Sequence, residues 1–163
     1  MFLDSAVSSV DYVTASQSGT TNDLGQYSYV ESETVTFSIG GITLGSTLAG
    51  AVVTPVTLVD GATDSTHPQV VNIVRLLMSL DDDGNPDNGI RINDATRVAA
   101  ADKSIDFGSA DFDALAQTLI DTLNPGVTLV AVIPAQDHFN ATLKTSWGTS
   151  AWGDDCWGSV CAK

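Results

Sequence analysis

Residues 81–94 constrain the fold of this chain more than any other stretch, because they carry five aspartates in fourteen positions. Carboxylates crowded in this way repel one another unless a cation or solvent separates them. From Asp83 to Asp94 the segment reads DGNPDNGIRIND, with oxygen-bearing side chains at alternating places. This alternation is typical of a short loop that wraps one cation. The competing interpretation is a solvated acidic turn between two helices.

The spacing within this segment fits calcium. A twelve-residue calcium loop takes side-chain oxygens from its first, third and fifth places, a backbone carbonyl from its seventh and a carboxylate from its twelfth. The residues at these places are Asp83, Asn85, Asp87, Gly89 and Asp94. We therefore predict a calcium ion as the cofactor of this chain.

Further residues bear on the frame of the loop. Ile90 stands at the eighth place, where such loops usually direct an apolar side chain into the core. Asn88 stands at the sixth place, where Gly normally makes a left-handed turn and Asn is the next most tolerant residue. A shifted frame that uses Asp81, Asp83 and Asn85 also offers alternating oxygens, so Asp81 or Asp82 is predicted to join or replace a ligand. The segment resembles the EF-hand-like loop of dockerin modules, which also use Asn at the third place and Asp at the twelfth.

The charge of the chain limits its partners. The formal net charge is −14, eighteen of the twenty acidic residues are Asp, and the first basic residue is Arg75. Binding to phosphates requires clustered Lys and Arg, so nucleic acid and anionic membrane surfaces are disfavoured. We expect a protein that neither binds nucleic acid nor inserts into a membrane.

Cysteine usage and composition favour an extracellular location or a bacterial cell surface. Cys156 and Cys161 enclose four residues, a spacing that can close a small disulfide loop. Asp, Ser, Thr and Gly dominate the polar positions, a bias that we associate with secreted bacterial proteins. The N-terminus MFLDSAV lacks the pattern of a signal peptide, and we favour a signal already removed over a cytosolic protein.

The first 60 residues carry β patterns. Residues 7–14 predict a strand, and Val35, Phe37 and Ile39 alternate with polar residues as in a half-buried strand. Ile42 and Leu44 continue the meander. Residues 51–59 predict a further strand whose Pro55 indicates an edge or a bulge, and an unpaired edge here would support self-assembly.

The second part of the chain carries helical patterns. Pro68 suits the first turn of a helix, and the apolar residues that follow recur at helical spacing. Residues 94–101 restart a short helix after the acidic segment. Ser109 suits the start of a third helix, and Pro134 the start of a last one. The apolar side chains predicted to point inward are Ile73, Leu76, Leu77 and Leu80 in the first of these helices, Phe112, Leu115, Leu119 and Leu123 in the third, and Phe139, Leu143 and Trp147 in the last.

Between the last two helices, the apolar run of residues 127–133 predicts a buried strand. The predicted class is α+β, a small antiparallel β-sandwich or meander packed with three to four helices. We predict one compact domain, with a β-rich part at 1–60, a helical part with the calcium loop at 61–146 and a Trp-Gly tail at 147–163.

The run FLDSAVSSVDYVTASQSGTTNDLGQYSYVESETVTFSIGGITLG, with the later LDDDGNPDNGI, resembles an N-terminal module of bacterial secreted proteins and lipoproteins. Residues 18–39 are also similar to prealbumin-like β-sandwich repeats. The resemblance implies an extracytoplasmic surface or adhesion-type module and implies no reaction.

Aromatic and imidazole side chains offer an alternative function. Trp147, Trp152 and Trp157 recur every five residues and could form a platform for a surface polysaccharide or a partner protein, or could cover a small core. His67 and His138 could bind a transition metal such as copper, or could be ordinary satisfied histidines. The motifs of common hydrolases and phosphate-binding loops do not occur, so we expect a protein that is not an enzyme.

Overall fold

A computed structural model of the chain describes residues 1–146. Within these residues a four-stranded antiparallel sheet and a two-stranded parallel sheet are combined with five α-helices. The predicted mixture of helices and strands is confirmed at this level. A prealbumin-like β-sandwich is not confirmed, because the second sheet has only two strands, which are parallel, and the larger sheet packs against the helix Pro55–Leu58.

Six strands form the two sheets. They are β1 (Val7–Ser8), β2 (Asp11–Val13), β3 (Ser18–Thr20), β4 (Thr34–Ile39), β5 (Ile42–Leu48) and β6 (Ile90–Arg91). The larger sheet has the order β3-β2-β4-β5, and each neighbouring pair is antiparallel. Val35, Phe37 and Ile39 are fully buried, as their alternation predicts. The edges of this sheet are therefore β3 and β5.

Five α-helices accompany the sheets in the described residues. They are α1 (Pro55–Leu58), α2 (Pro68–Ser79), α3 (Asp94–Ala99), α4 (Phe112–Leu123) and α5 (Val132–Ser146). The apolar stripe of α2 is buried as predicted and packs against α4 and α5. One hydrophobic core runs from Phe2 through α2 to Phe139. No helix within residues 1–146 has both the length and the apolar character needed to cross a bilayer.

Two predicted strands are wrong. In residues 51–59 the chain forms α1, in which Pro55 occupies the first turn, where its missing N–H costs nothing. Residues 127–131 form no strand, and α5 begins at Val132. The backbone of Val130 is satisfied by side chains instead, since its N–H donates to Ser79 Oγ and its carbonyl accepts from Arg75 Nε.

One predicted core residue is also misplaced. Leu115 of α4 is 48% exposed, whereas Phe112, Leu119 and Leu123 of the same helix are buried. The apolar face of α4 is therefore narrower than the spacing of its Leu residues indicates.

The small parallel sheet connects the acidic segment to the N-terminal part of the chain. Val7 pairs with Ile90 and Ser8 with Arg91. The Ile90 N–H donates to the Ala6 carbonyl at 3.0 Å. This pairing brings residues 81–92 next to the turn formed by Asp4 and Ser5.

Candidate metal-binding loop

The acidic segment forms a loop between two helices, as the sequence predicts. Helix α2 ends at Ser79, and α3 begins at Asp94. Between them, Asp81 and Ile92 form an antiparallel bridge that closes the base of the loop. One turn of 3₁₀ helix, Pro86–Asn88, lies at its far side.

Asp81 is the buried acid of this loop. Asp81 is only 4% exposed, and its Oδ1 accepts the backbone N–H of Arg91 at 2.9 Å. Its Oδ2 is buried and has no hydrogen-bond partner. Burial raises the pKa of Asp81, and repulsion by the neighbouring Asp83 carboxylate adds to the rise. A buried oxygen of this kind is costly unless a proton or a cation satisfies it.

Asp83 is held as an anion beside Asp81. Its Oδ2 accepts from Asn88 Nδ2 at 2.8 Å, and its Oδ1 accepts the Asn85 N–H at 2.9 Å. These two hydrogen bonds, that of Asn88 first, lower the pKa of Asp83. The loop therefore presents one stabilised carboxylate next to one that is poorly satisfied.

The sharp turn of the loop lies at Gly84. Gly84 has φ +67°, whereas Asn88, the residue expected to make a left-handed turn, lies within the 3₁₀ turn and has no positive φ. With Gly84 at the sixth place of a calcium loop, Asp81 and Asp83 would take the third and fifth places and Asn85 the seventh, but the twelfth place would fall on the apolar Ile90. The position of Gly84 therefore matches neither the frame that begins with Asp83 nor the frame that begins with Asp81. Asp81, Asp83 and Asn85 stay the candidate ligands nearest to this turn.

Other predicted ligands have different neighbours. Asp87 Oδ1 lies 3.6 Å from His138 Nδ1, and Asp94 Oδ1 pairs with Arg97 Nη1 at 3.2 Å. The Gly89 N–H donates to the Pro86 carbonyl. The ligand roles of Asp87, Gly89 and Asp94 stay predictions. Ile90 is fully buried, as its place in the loop predicts.

The residues of the loop fit a hard cation in part. Among residues 1–146, no three or more His, Cys, Asp or Glu side chains are grouped so as to hold a metal ion. Calcium, however, accepts carbonyl, amide and water oxygens beside carboxylates. Asp81 and Asp83 supply the charge, and Asn85 supplies amide and carbonyl oxygens beside them.

The two histidines do not share partners. His138 Nε2 lies 3.2 Å from Ser5 Oγ and 3.7 Å from Asp4 Oδ1. His67 is not among the partners of His138, and the Nδ1 atom of His67 is buried without a partner. Asp4 and Ser5 carry no local signal in the sequence that points to His138, because Ser5 lies 133 residues from it.

Ser5, His138 and Asp87 stand in the order of a nucleophilic triad, with Ser Oγ at Nε2 and a carboxylate at Nδ1. A triad also requires a substrate cleft and oxyanion donors. The Ser5 N–H already donates to Thr142 Oγ1, and neither the cleft at Tyr12 and Tyr27 nor the cleft at Leu44 and Phe107 includes Ser5 or His138. The three side chains share the order of a triad, but neither of these two clefts adjoins them.

Two groups of predicted site residues fall on the tail. The predicted aromatic platform of Trp147, Trp152 and Trp157 and the predicted disulfide of Cys156 and Cys161 lie outside the described residues.

Comparisons of the chain with protein-family models, curated proteins and solved structures found no match.

Proposed function

We propose that this chain is an extracellular, calcium-stabilised surface module with a structural or adhesion-type role. The single observation that carries the proposal is the Asp81 carboxylate, which is buried, adjacent to Asp83 and lacks a partner for Oδ2. A divalent cation would satisfy that oxygen and relieve the repulsion between the two acids.

Calcium at this position would stabilise the fold by joining separate elements. Asp81 follows α2 and is bonded to Arg91 of β6, which pairs with β1. An ion held by Asp81, Asp83 and Asn85 would fix the connection from α2 to the small sheet. Because the unfolded chain has no preformed site, the binding free energy would add to the stability of the folded state.

The composition supports the proposed location and class of partner. The net charge of −14 suits a protein that meets millimolar calcium outside the cell and repels nucleic acid. The proposed partners are calcium and a surface polysaccharide or protein.

A calcium titration of thermal and urea unfolding tests the proposal. We expect calcium to raise the free energy of unfolding of the chelator-treated wild type, and magnesium to do so less. The double variant Asp81→Asn/Asp83→Asn should lose the response. Asp102→Asn is the matched control, because Asp102 is an exposed acid that pairs with Lys103 away from the loop. The proposal would be contradicted if calcium raised the free energy of unfolding equally in both variants, or not at all in the wild type.

A carbohydrate- or transition-metal-binding protein is the second candidate. One contact favours its transition-metal form, since the His138 imidazole faces the Asp4 carboxylate at 3.7 Å. A glycan array probed with and without calcium tests the carbohydrate form, with Trp152→Ala as the variant expected to lose binding.

A further inference from the structure

The Asp4 carboxylate is the least satisfied polar group of the described chain. Asp4 has no exposed surface, and neither of its carboxylate oxygens has a hydrogen-bond partner. It lies in a tight turn closed by a bridge between Leu3 and Ala6, where Ser5 adopts φ +58°. A backbone conformation that is uncommon for Ser thus holds this acid inside the protein.

The group that faces Asp4 is the imidazole of His138 on α5. Its Nε2 lies 3.7 Å from Asp4 Oδ1 and 3.2 Å from Ser5 Oγ. Its Nδ1 lies on the other side of the ring, 3.6 Å from the exposed carboxylate of Asp87. Nε2 therefore faces two oxygen atoms that could act as metal ligands, and Nδ1 faces the Asp87 carboxylate.

The same order of groups also occurs around histidines that bind a metal ion. A histidine that coordinates a metal through one nitrogen generally donates its other N–H to a carboxylate or carbonyl, which fixes the tautomer and the direction of the ring. Asp87 lies on that side of the ring, with its Oδ1 at 3.6 Å from Nδ1 and its side chain 90% exposed. Asp4 and Ser5 stand where the other ligands of the ion would lie.

We propose that Asp4, Ser5 and His138 form a binding site for a divalent transition-metal ion of the zinc type, oriented by Asp87. Two ligand atoms bound about 2.1 Å from one ion lie about 3.4 Å apart in tetrahedral geometry. The observed separations of 3.2 Å and 3.7 Å lie on either side of that spacing.

The donor set separates this site from the calcium loop. An imidazole nitrogen beside a carboxylate suits zinc and related ions, whereas calcium takes oxygen ligands alone. Burial raises the pKa of Asp4 well above its ordinary value, so the ion would displace a proton from this acid. The site does not rest on the proposed calcium role, because Asp81 and Asp83 are not among its ligands.

Calorimetric titration of zinc into the chelator-treated full chain tests the proposal. The titration is made in a Cys156→Ser/Cys161→Ser background, so that the two thiols cannot bind the ion. We expect one zinc ion per chain, with an affinity that falls at least tenfold in Asp4→Asn and in His138→Gln. His67→Gln is the matched control and should bind zinc as the parent does.

Two further variants distinguish the loss of a metal ligand from misfolding of the chain. Asp87→Asn changes an exposed side chain and should lower the zinc affinity about 10-fold to 100-fold by releasing the ring. Asp81→Asn should leave zinc binding unchanged while abolishing the calcium response, so that the two sites can fail separately. Cobalt as a spectroscopic probe should give visible d–d bands that disappear in His138→Gln.

Two results would overturn the proposal. One is a folded parent chain that binds no zinc at micromolar concentration, which would make Asp4 and His138 a buried acid–imidazole pair only. The other is zinc binding of equal affinity in the parent, Asp4→Asn and His138→Gln, which would place the ion elsewhere.

Discussion

Asp81 and Arg91 are joined across the base of the acidic loop, where Asp81 Oδ1 accepts the Arg91 N–H at 2.9 Å. The other oxygen of the same carboxylate is buried without a partner. The side chain that closes the loop is therefore also the one that gains most from a cation. We therefore expect closure of the loop to depend on the hydrogen-bond acceptor of Asp81, and ion binding to depend on its negative charge.

The substitution Asp81→Asn separates these two properties. The amide oxygen can still accept the Arg91 N–H, but the negative charge is gone. In chelator, we expect a free energy of unfolding equal to or above that of the wild type. With calcium at a hundredfold excess over its Kd, the wild type should gain about 2.7 kcal/mol and the variant almost nothing. Urea unfolding followed by circular dichroism measures both, and a full calcium gain in the variant would contradict the assignment.

Arg75 is a buried cation whose removal should destabilise the protein. Its Nε donates to the Val130 carbonyl at 2.7 Å, and its Nη1 donates to Asn72 and Asp113. Arg75→Ala removes these bonds and the packing of the side chain, so we expect a loss of roughly 2–4 kcal/mol in thermal or urea unfolding.

Asp113 should matter less than its partner Arg75. Its side chain is 76% exposed, so solvent screens the ion pair, and Asp113→Asn should cost about 1 kcal/mol or less. Asp111→Asn is the control, because the Asp111 side chain makes no capping bond. A loss in Asp113→Asn as large as that in Arg75→Ala would show that the ion pair itself dominates.

The metal-free protein should be most stable at mildly acidic pH. Burial raises the pKa of Asp4, so the stability from its protonated form is complete below the unfolded pKa and is lost as the pH rises through the folded pKa. Hydrogen bonds from Thr14 and Ser16 lower the pKa of Glu33, so its contribution is lost as the pH falls through the folded pKa. Burial also raises the pKa of Asp81, which adds to the same loss. Asp4→Asn should therefore reduce the loss on the alkaline side of the profile and leave the acidic side unchanged. Urea midpoints measured across the pH range in chelator check this, and a profile unchanged in Asp4→Asn would refute it.

Gly45 marks the closest approach of α1 to the sheet. A Cβ at this position would lie 2.5 Å from the Leu58 carbonyl oxygen, and φ is +151°. Gly45→Ala must displace α1 or strain β5, so we expect a loss of about 1–3 kcal/mol in unfolding experiments. Gly50→Ala is the matched control because its Cβ would meet no atom within 4 Å. Equal stability of the two variants would show that α1 moves aside freely.

Local periodicity was sufficient to predict the longer regular elements of the core. The alternation around Phe37 predicts β4, and the spacing of Ile73, Leu76 and Leu77 predicts α2, because each pattern creates one apolar face. The helix–loop–helix around the acidic segment was also predictable. The strand predicted at 127–133 failed because Ser79 and Arg75 supply the hydrogen bonds that a neighbouring strand would have made.

The sequence by itself determined that five aspartates lie in one loop between two helices and that the chain is strongly acidic, since both are properties of neighbouring residues and of charge. Only the tertiary structure decided which acids are buried. Asp4 lies next to His138, although most of the chain separates the two residues in sequence. Asp81 is shielded from water where β6 pairs with β1. Burial depends on long-range packing, and the cost of an unsatisfied oxygen exists only once water has been removed from it.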